Sequence, residues 1–155
     1  MPIQYYINPK LNIILMIGEG IVTGSEYFQA AEAASQDKLR KWGMATIIDV
    51  FSAEADFDLK DMRFAIDFND KLSEKGLEPE RVAILTRSKG IRLIIDTMKL
   101  LPSNLPIKIE VFNTVEDLVS SLGFSEQKQE FIEFYNKHNF RNTRKVENLN
   151  TARAK

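Results

Sequence analysis

The stretch LNIILMI at residues 11–17 is apolar at every position but one, and it constrains the fold more than any other feature of the chain. Successive side chains of an extended strand point to opposite faces. Leu11, Ile13, Leu15 and Ile17 therefore make one apolar face, while Ile14 and Met16 make the other apolar too. A strand of this kind has to be covered on both sides, as an inner strand of an α/β sheet is. A β-rich run at residues 3–7 lies just upstream, across the polar link Asn8-Pro9-Lys10. The two runs read as a hairpin with residues 3–7 at the sheet edge.

Downstream the periodicity alternates. Gly18-Glu19-Gly20 breaks the central run, and Thr23-Gly24-Ser25-Glu26 has the spacing of a capping box, so a helix follows with Tyr27, Phe28 and several alanines. It fades in the polar segment 35–41. Residues 44–50 form the next strand, which breaks at Asp49 into an acidic loop reaching Asp58. From Leu59 the spacing becomes helical, with Met62, Ala65, Ile66, Asn69 and Leu72 on the same broad face and Gly76 as a natural stop. Residues 81–87 read as a short buried strand, Ser88 caps a helix over 89–101, and Pro102 ends it. Residues 107–112 alternate as a strand, and Asn113 or Thr114 caps a short helix to Ser121 with Glu116 and Asp117 in its first turn. A last helix over 125–138 places Phe131, Phe134, Tyr135 and His138 on one face.

The expected fold class is thus α/β: an N-terminal β-hairpin, then alternating βα units, in a mixed, mostly parallel sheet flanked by helices. Residues 1–123 are expected to form the domain, 124–138 an extra helix docked on it, and 139–155 a basic, disordered tail. At 155 residues the chain is long enough for a single core that buries roughly two thirds of the unfolded surface. It has no cysteine, which removes disulfides, thiolate metal sites and a Cys nucleophile, and a single histidine, His138, which removes most His-based chemistry. The formal charge of -1 gives no general field to draw nucleic acid or an anionic membrane. With no basic leader and no apolar run of the ~20 residues that span a bilayer, the chain reads as soluble and cytoplasmic.

In this order of elements the chain resembles the STAS domain (sulphate transporter and anti-sigma factor antagonist), particularly its stand-alone SpoIIAA-like members. The resemblance covers residues 3–123. It rests on the hairpin start, on GEGIVTGSEY entering the first helix, on TIIDV ending at Asp49 and Val50, and on RVAILT and IEVFNTVEDLVSSL. It implies a regulatory, protein-binding module without a cofactor, rather than an enzyme. In the anti-sigma antagonists of that family a strand ending in aspartate leads to a serine that is phosphorylated at the start of the second helix. Asp58 and Leu59 take that place here, and Ser52, the loop's one hydroxyl, lies too early to occupy a helix N-terminus. The phosphoserine is therefore not carried over, and Asp58 reads as a helix cap. SpoIIAA-like domains are also similar in fold to the CRAL-TRIO lipid-binding proteins, which implies an alternative: a carrier or sensor of a small hydrophobic ligand.

Asp49, Glu54, Asp56, Asp58 and Asp61 lack the spacing and the glycine of a calcium loop, and solvated loops are often acidic, so no metal is expected. GEGIVTG departs from GxGxxG, and its glycines suit a bulge and a turn. His138 has no triad partner and suits packing or capping. The sharper feature is surplus apolar surface. Phe64 and Phe68 lie four residues apart off the main face of the helix from Leu59, and Leu93 and Leu100 lie opposite Ile91, Ile94 and Ile95 on the helix from Lys89. These four residues are the expected contact for a second subunit, a protein partner or a hydrophobic ligand, unless they pack between helices. Asp49, Ser52 and Asp58 are the expected contacts of the loop, and a homodimer is the expected assembly.

Overall fold

The computed structural model describes residues 3–76, 81–100, 108–124 and 126–139. In chain order the elements are β1 (Ile3–Asn8), β2 (Ile13–Thr23), α1 (Gly24–Gln36), β3 (Ala45–Asp56), α2 (Leu59–Glu74), β4 (Arg81–Leu85), α3 (Lys89–Leu100), β5 (Lys108–Phe112), α4 (Val115–Leu122) and α5 (Lys128–His138). The strands form one sheet in the order β1-β2-β3-β4-β5, with β1 antiparallel to β2 and every other neighbouring pair parallel. The hairpin followed by βα units is the arrangement that the SpoIIAA-like resemblance implied.

Because spatial order equals chain order, each right-handed crossover moves one place in the same direction and lays its helix on the same face. The packing follows this geometry. Ala30, Ala31 and Ala34 of α1 and Ile91 and Ile95 of α3 share one core with Ile14, Met16, Ile48, Val50 and Ile84 of the sheet, and Phe68 of α2 packs against it. Side chains of the opposite parity, Ile13, Leu15, Ile47, Ala83 and Leu85, are buried as well. The two-sided apolar character of residues 11–17 thus reports a strand covered on both faces.

Gly18-Glu19-Gly20 does not end β2, which runs on to Thr23. Ile17 pairs with Asp49 and Glu19 with Ser52, so two residues of β3, Val50 and Phe51, stand against Gly18 alone. This bulge inserts one residue into β3 and reverses which of its side chains face the helices. Gly18 keeps the bulge uncrowded: a Cβ there would come within 3.1 Å of Val22 and 3.3 Å of Ile3 and Val50, and those side chains would have to give by a few tenths of an ångström. The same bulge corrects the acidic loop expected from Asp49 to Asp58. That segment is strand as far as Asp56, with Ser52, Glu54 and Asp56 exposed and Ala53 buried, and only Phe57 and Asp58 link it to α2.

The starts of the first four helices are as expected. Thr23 accepts the Glu26 N–H at 3.3 Å while the Glu26 carboxylate accepts the Thr23 N–H at 2.9 Å, and Asp58 and Asp61 repeat the box at 2.8 and 3.0 Å. Ser88 accepts from Ile91 and Thr114 from Asp117, each at 3.2 Å. Gly76 closes α2 with φ +67°, a conformation that L side chains rarely adopt.

The chain divides into two compact units, residues 1–118 and 119–155. In the second, Phe124 stacks on Phe131 with ring centroids 5.0 Å apart, and Phe134 meets His138 edge-on at 5.0 Å. The last helix starts at Lys128, later than expected. Residue 125, the expected basic tail from 140, and the expected ends at Leu101, Pro102 and Ile107 lie outside the described residues. No helix among the described residues is long and apolar enough to cross a membrane.

Replacing the N-cap, Thr23→Ala, should lower the unfolding free energy by about 1 kcal/mol. Urea unfolding checks this; an unchanged midpoint would mean that the capping box adds nothing to the β2–α1 junction.

Candidate functional site

Strand lengths set the site. β3 has 12 residues and β4 only 5. β4 follows β3 no further than Asp49, whereas β2 and β3 stay paired to Thr23 and Asp56. The β2–β3 pair therefore projects past its neighbour, and α1 and α2 both begin from its far end. There the two helix starts touch. A Cβ on Gly24 would lie 2.3 Å from the Asp61 carboxylate, so any larger residue would push that carboxylate out of the α2 capping box.

α2 is fixed at its start but buries little: of its 16 residues only Met62 and Leu72 are buried. The space beneath is bounded by small side chains, Ala53 and Ala55 from β3 and Ala65 from α2. They leave a cavity of about 130 Å³ between the sheet and the helices, lined further by Val22, Val50, Met62, Ile84, Ile91, Ile95 and Met98. Its polar lining comes from Tyr27, Asp61 and Asn69. In volume and lining it is comparable to an apolar cavity of about 150 Å³ that binds benzene.

A smaller pocket of about 40 Å³ adjoins it, lined by Tyr27, Ser35, Arg40, Thr46, Asn69 and Val82 among others. Tyr27, Asn69 and Val82 belong to both spaces. Arg40 is placed by a turn after α1, in which the Asp37 carboxylate accepts the Leu39 N–H at 2.9 Å and the Tyr5 hydroxyl at 3.2 Å, and the Asp37 carbonyl accepts the Arg40 N–H at 2.9 Å. Burial pushes the Tyr27 hydroxyl up to about 12, and the nearby Arg40 charge opposes that rise. Loss of hydration lowers the Arg40 guanidinium from its ordinary value.

The residues singled out in the sequence fall in different places. Phe64 and Phe68 pack on Phe28 of α1, with centroids 4.5 and 6.2 Å from its ring, although Phe64 stays 50% exposed. Together they line a surface groove of about 450 Å³ between α1 and α2, flanked by Lys60, Lys71 and Lys75. Leu93 and Leu100 are more open, 68% and 85% exposed, on the side of α3 away from buried Ile91 and Ile95. Asp49 is not at a surface: it is fully buried within β3 and accepts the Phe51 N–H at 3.1 Å. Ser52 is exposed on the projecting pair, and Asp58 caps α2. The carboxylates of this region are thereby dispersed, and among the described residues no three acidic or histidine groups are placed to hold a metal.

Tyr27, Arg40 and the alanine-walled space were not anticipated. One signal pointed toward them: Asn69, a polar residue on the stripe of α2 that faces the core.

No family model and no curated protein matches the chain. Among solved structures it is similar to an uncharacterized protein of the DUF3478 family with a SpoIIAA-like fold from Shewanella loihica PV-4. The two are 16% identical, the match covers 77% of this chain and 91% of the other, and the TM-score is 0.49.

Tyr27 gives the region a pH signature. Its folded pKa is raised from 10.0 to about 12, so above pH 10 the unfolded chain releases a proton that the folded chain keeps. The resulting stability, up to ~3 kcal/mol, is complete below pH 10 and is lost as the pH climbs toward 12. Unfolding free energies measured across that window should fall less steeply for Tyr27→Phe than for the parent chain; equal slopes would contradict a buried Tyr27 hydroxyl.

Proposed function

We propose that this chain is a non-catalytic STAS-like module that carries or senses a small hydrophobic ligand, held between the sheet and α2. The observation that carries the proposal is the apolar cavity of about 130 Å³ at the projecting end of the β2–β3 pair. Binding sites of this type are largely preformed and apolar, with a few polar groups that orient the ligand. Tyr27, Asp61 and Asn69 are those groups here. Because α2 lies over the cavity, its exposed face would report occupancy. Asp58 is engaged in the capping box where the family places its phosphorylated serine, which supports a module that works without that switch.

Purified protein examined by native mass spectrometry should carry a small apolar molecule or take up added toluene. Ala65→Phe, which projects a ring into the cavity, should stay folded and lose that binding. The proposal fails if neither a co-purifying molecule nor toluene binds, or if Ala65→Phe binds as the parent does.

A second reading, a protein-interaction module that forms a homodimer, is favoured by Leu93 and Leu100, which lie seven residues apart on one side of α3 and are both exposed. On it, light scattering at high concentration should give a dimer mass for the parent and a monomer mass for Leu93→Asp with Leu100→Asp. A parent that is monomeric at every concentration would remove the homodimer.

A further inference from the structure

The outer surface of α2 is shaped as well as its underside. Lys60, Phe64, Phe68, Lys71 and Lys75 fall within an arc of about 80° around the helix axis, so they make one stripe, aromatic at its centre and basic at both ends. That stripe is one wall of the groove of about 450 Å³ between α1 and α2, and Phe28 adds a third ring to its floor. From Lys60 to Lys75 the helix rises about 22 Å, which sets the length of the groove. The facing wall from α1 is mostly uncharged, with Ser25, Gln29 and Gln36 beside a single acid, Glu32. Asp61, the other acidic group of the groove, is held in the α2 capping box. Among the described residues none of the three groove lysines is held in an ion pair.

We propose that this groove docks an acidic amphipathic helix of a partner protein, with its apolar side chains on Phe28, Phe64 and Phe68 and its carboxylates at Lys60, Lys71 and Lys75. Shape and charge select that occupant. The furrow between two packed helices accepts the side-chain ridge of a third, and a helix laid in such a groove is read through apolar anchors at i, i+3, i+4 and i+7. Phe64, 50% exposed, offers those anchors aromatic surface that docking would remove from water. The lysines lay their stems along the rings and keep their charges at the rim, where they set partner choice and register more than raw affinity. Other occupants fit the groove less well. A second copy seated groove on groove would set lysine against lysine at both ends. The chain's own segment beyond residue 140 has Arg141, Arg144, Lys145 and Arg153 against Glu147, a charge of the wrong sign. A bilayer surface is flat, and Phe28 at the base of the groove, only 8% exposed, lies below its reach. Docking does not depend on the cavity being a ligand site; where the cavity is one, the groove supplies the partner that reads the exposed face of α2.

The test uses two synthetic helical peptides of about 18 residues, long enough to span the groove. They share one leucine stripe and differ only in carrying glutamate or lysine at every flanking position. Each is labelled and titrated into the full chain at physiological ionic strength, with fluorescence anisotropy as the readout. The glutamate peptide should bind about tenfold or more tightly than the lysine peptide, and Lys71→Glu with Lys75→Glu should reverse that order. Phe64→Ser should weaken the glutamate peptide about tenfold. Both lysines are exposed, so the charge reversal keeps the fold and decides alone if Phe64→Ser does not fold. The proposal is overturned if neither peptide binds, if the two bind alike, or if the reversal leaves their order unchanged. It is also overturned if the protein sediments with vesicles of anionic phospholipid and the charge reversal releases it, which assigns the groove to a lipid surface. A dimer in light scattering that Phe64→Ser breaks would assign the groove to a second copy and overturn it as well. Toluene uptake should be the same in the charge-reversed variant as in the parent, so failure of docking leaves the cavity standing as a ligand site.

Discussion

The parallel pairing of β2 with β3 is the constraint on which the rest of the molecule depends. It joins the hairpin to the βα units, and it continues to Thr23 and Asp56 after β4 has ended at Leu85. A bulge at Gly18 makes the continuation possible, because the extra residue in β3 turns Ala53 and Ala55 toward the helices and Ser52, Glu54 and Asp56 away. Without that reversal the projecting end would direct carboxylates at the core, and burying them would be costly. With it, the end presents methyl groups to α2, and methyl groups are too small to fill the gap between a sheet and a helix that packs about 10 Å away.

The helix starts complete the geometry. Gly24 lets α1 begin directly against Asp61, so the first turns of α1 and α2 meet over the projecting strands. α2 then passes over the cavity instead of filling it, which is why a helix of 16 residues has only two buried side chains. Its exterior is not idle: Phe64 and Phe68 reach sideways to Phe28 and tie α2 to α1. The aromatic contact holds the cover, and the absence of large side chains below leaves the space.

Much of this fold was legible in the sequence because it rests on local or periodic signals. The hairpin, the two-sided strand at residues 11–17 and the caps at Thr23, Asp58, Ser88 and Thr114 all declare themselves within a few residues. The extension of β3 was missed although SAEAD alternates with the period of a strand, because alanine and acidic residues have weak strand preference and the sign of the alternation changes across the bulge. Phe64 and Phe68 could be assigned to a second ridge from their spacing, but whether α1 or a partner covers that ridge depends on Phe28, a contact across 36 positions. The cavity left only one mark in the sequence, Asn69 on the core-facing stripe of α2. It arises from side chains that are too small, drawn from β3 and α2, and nothing else in either segment alone marks a space between them. Arg40 lay hidden for a similar reason, since in a polar stretch a cation turned inward has the same sequence signature as one in water.

The central claim is that a preformed apolar space lies between α2 and the projecting end of the β2–β3 pair. A crystal of the protein pressurised with xenon tests it most directly, because xenon enters apolar cavities of this size and scatters strongly. The account predicts a xenon atom among Val50, Ala53, Met62 and Ile91. A structure in which α2 has settled onto Ala53 and Ala55, with no xenon between them, would contradict it.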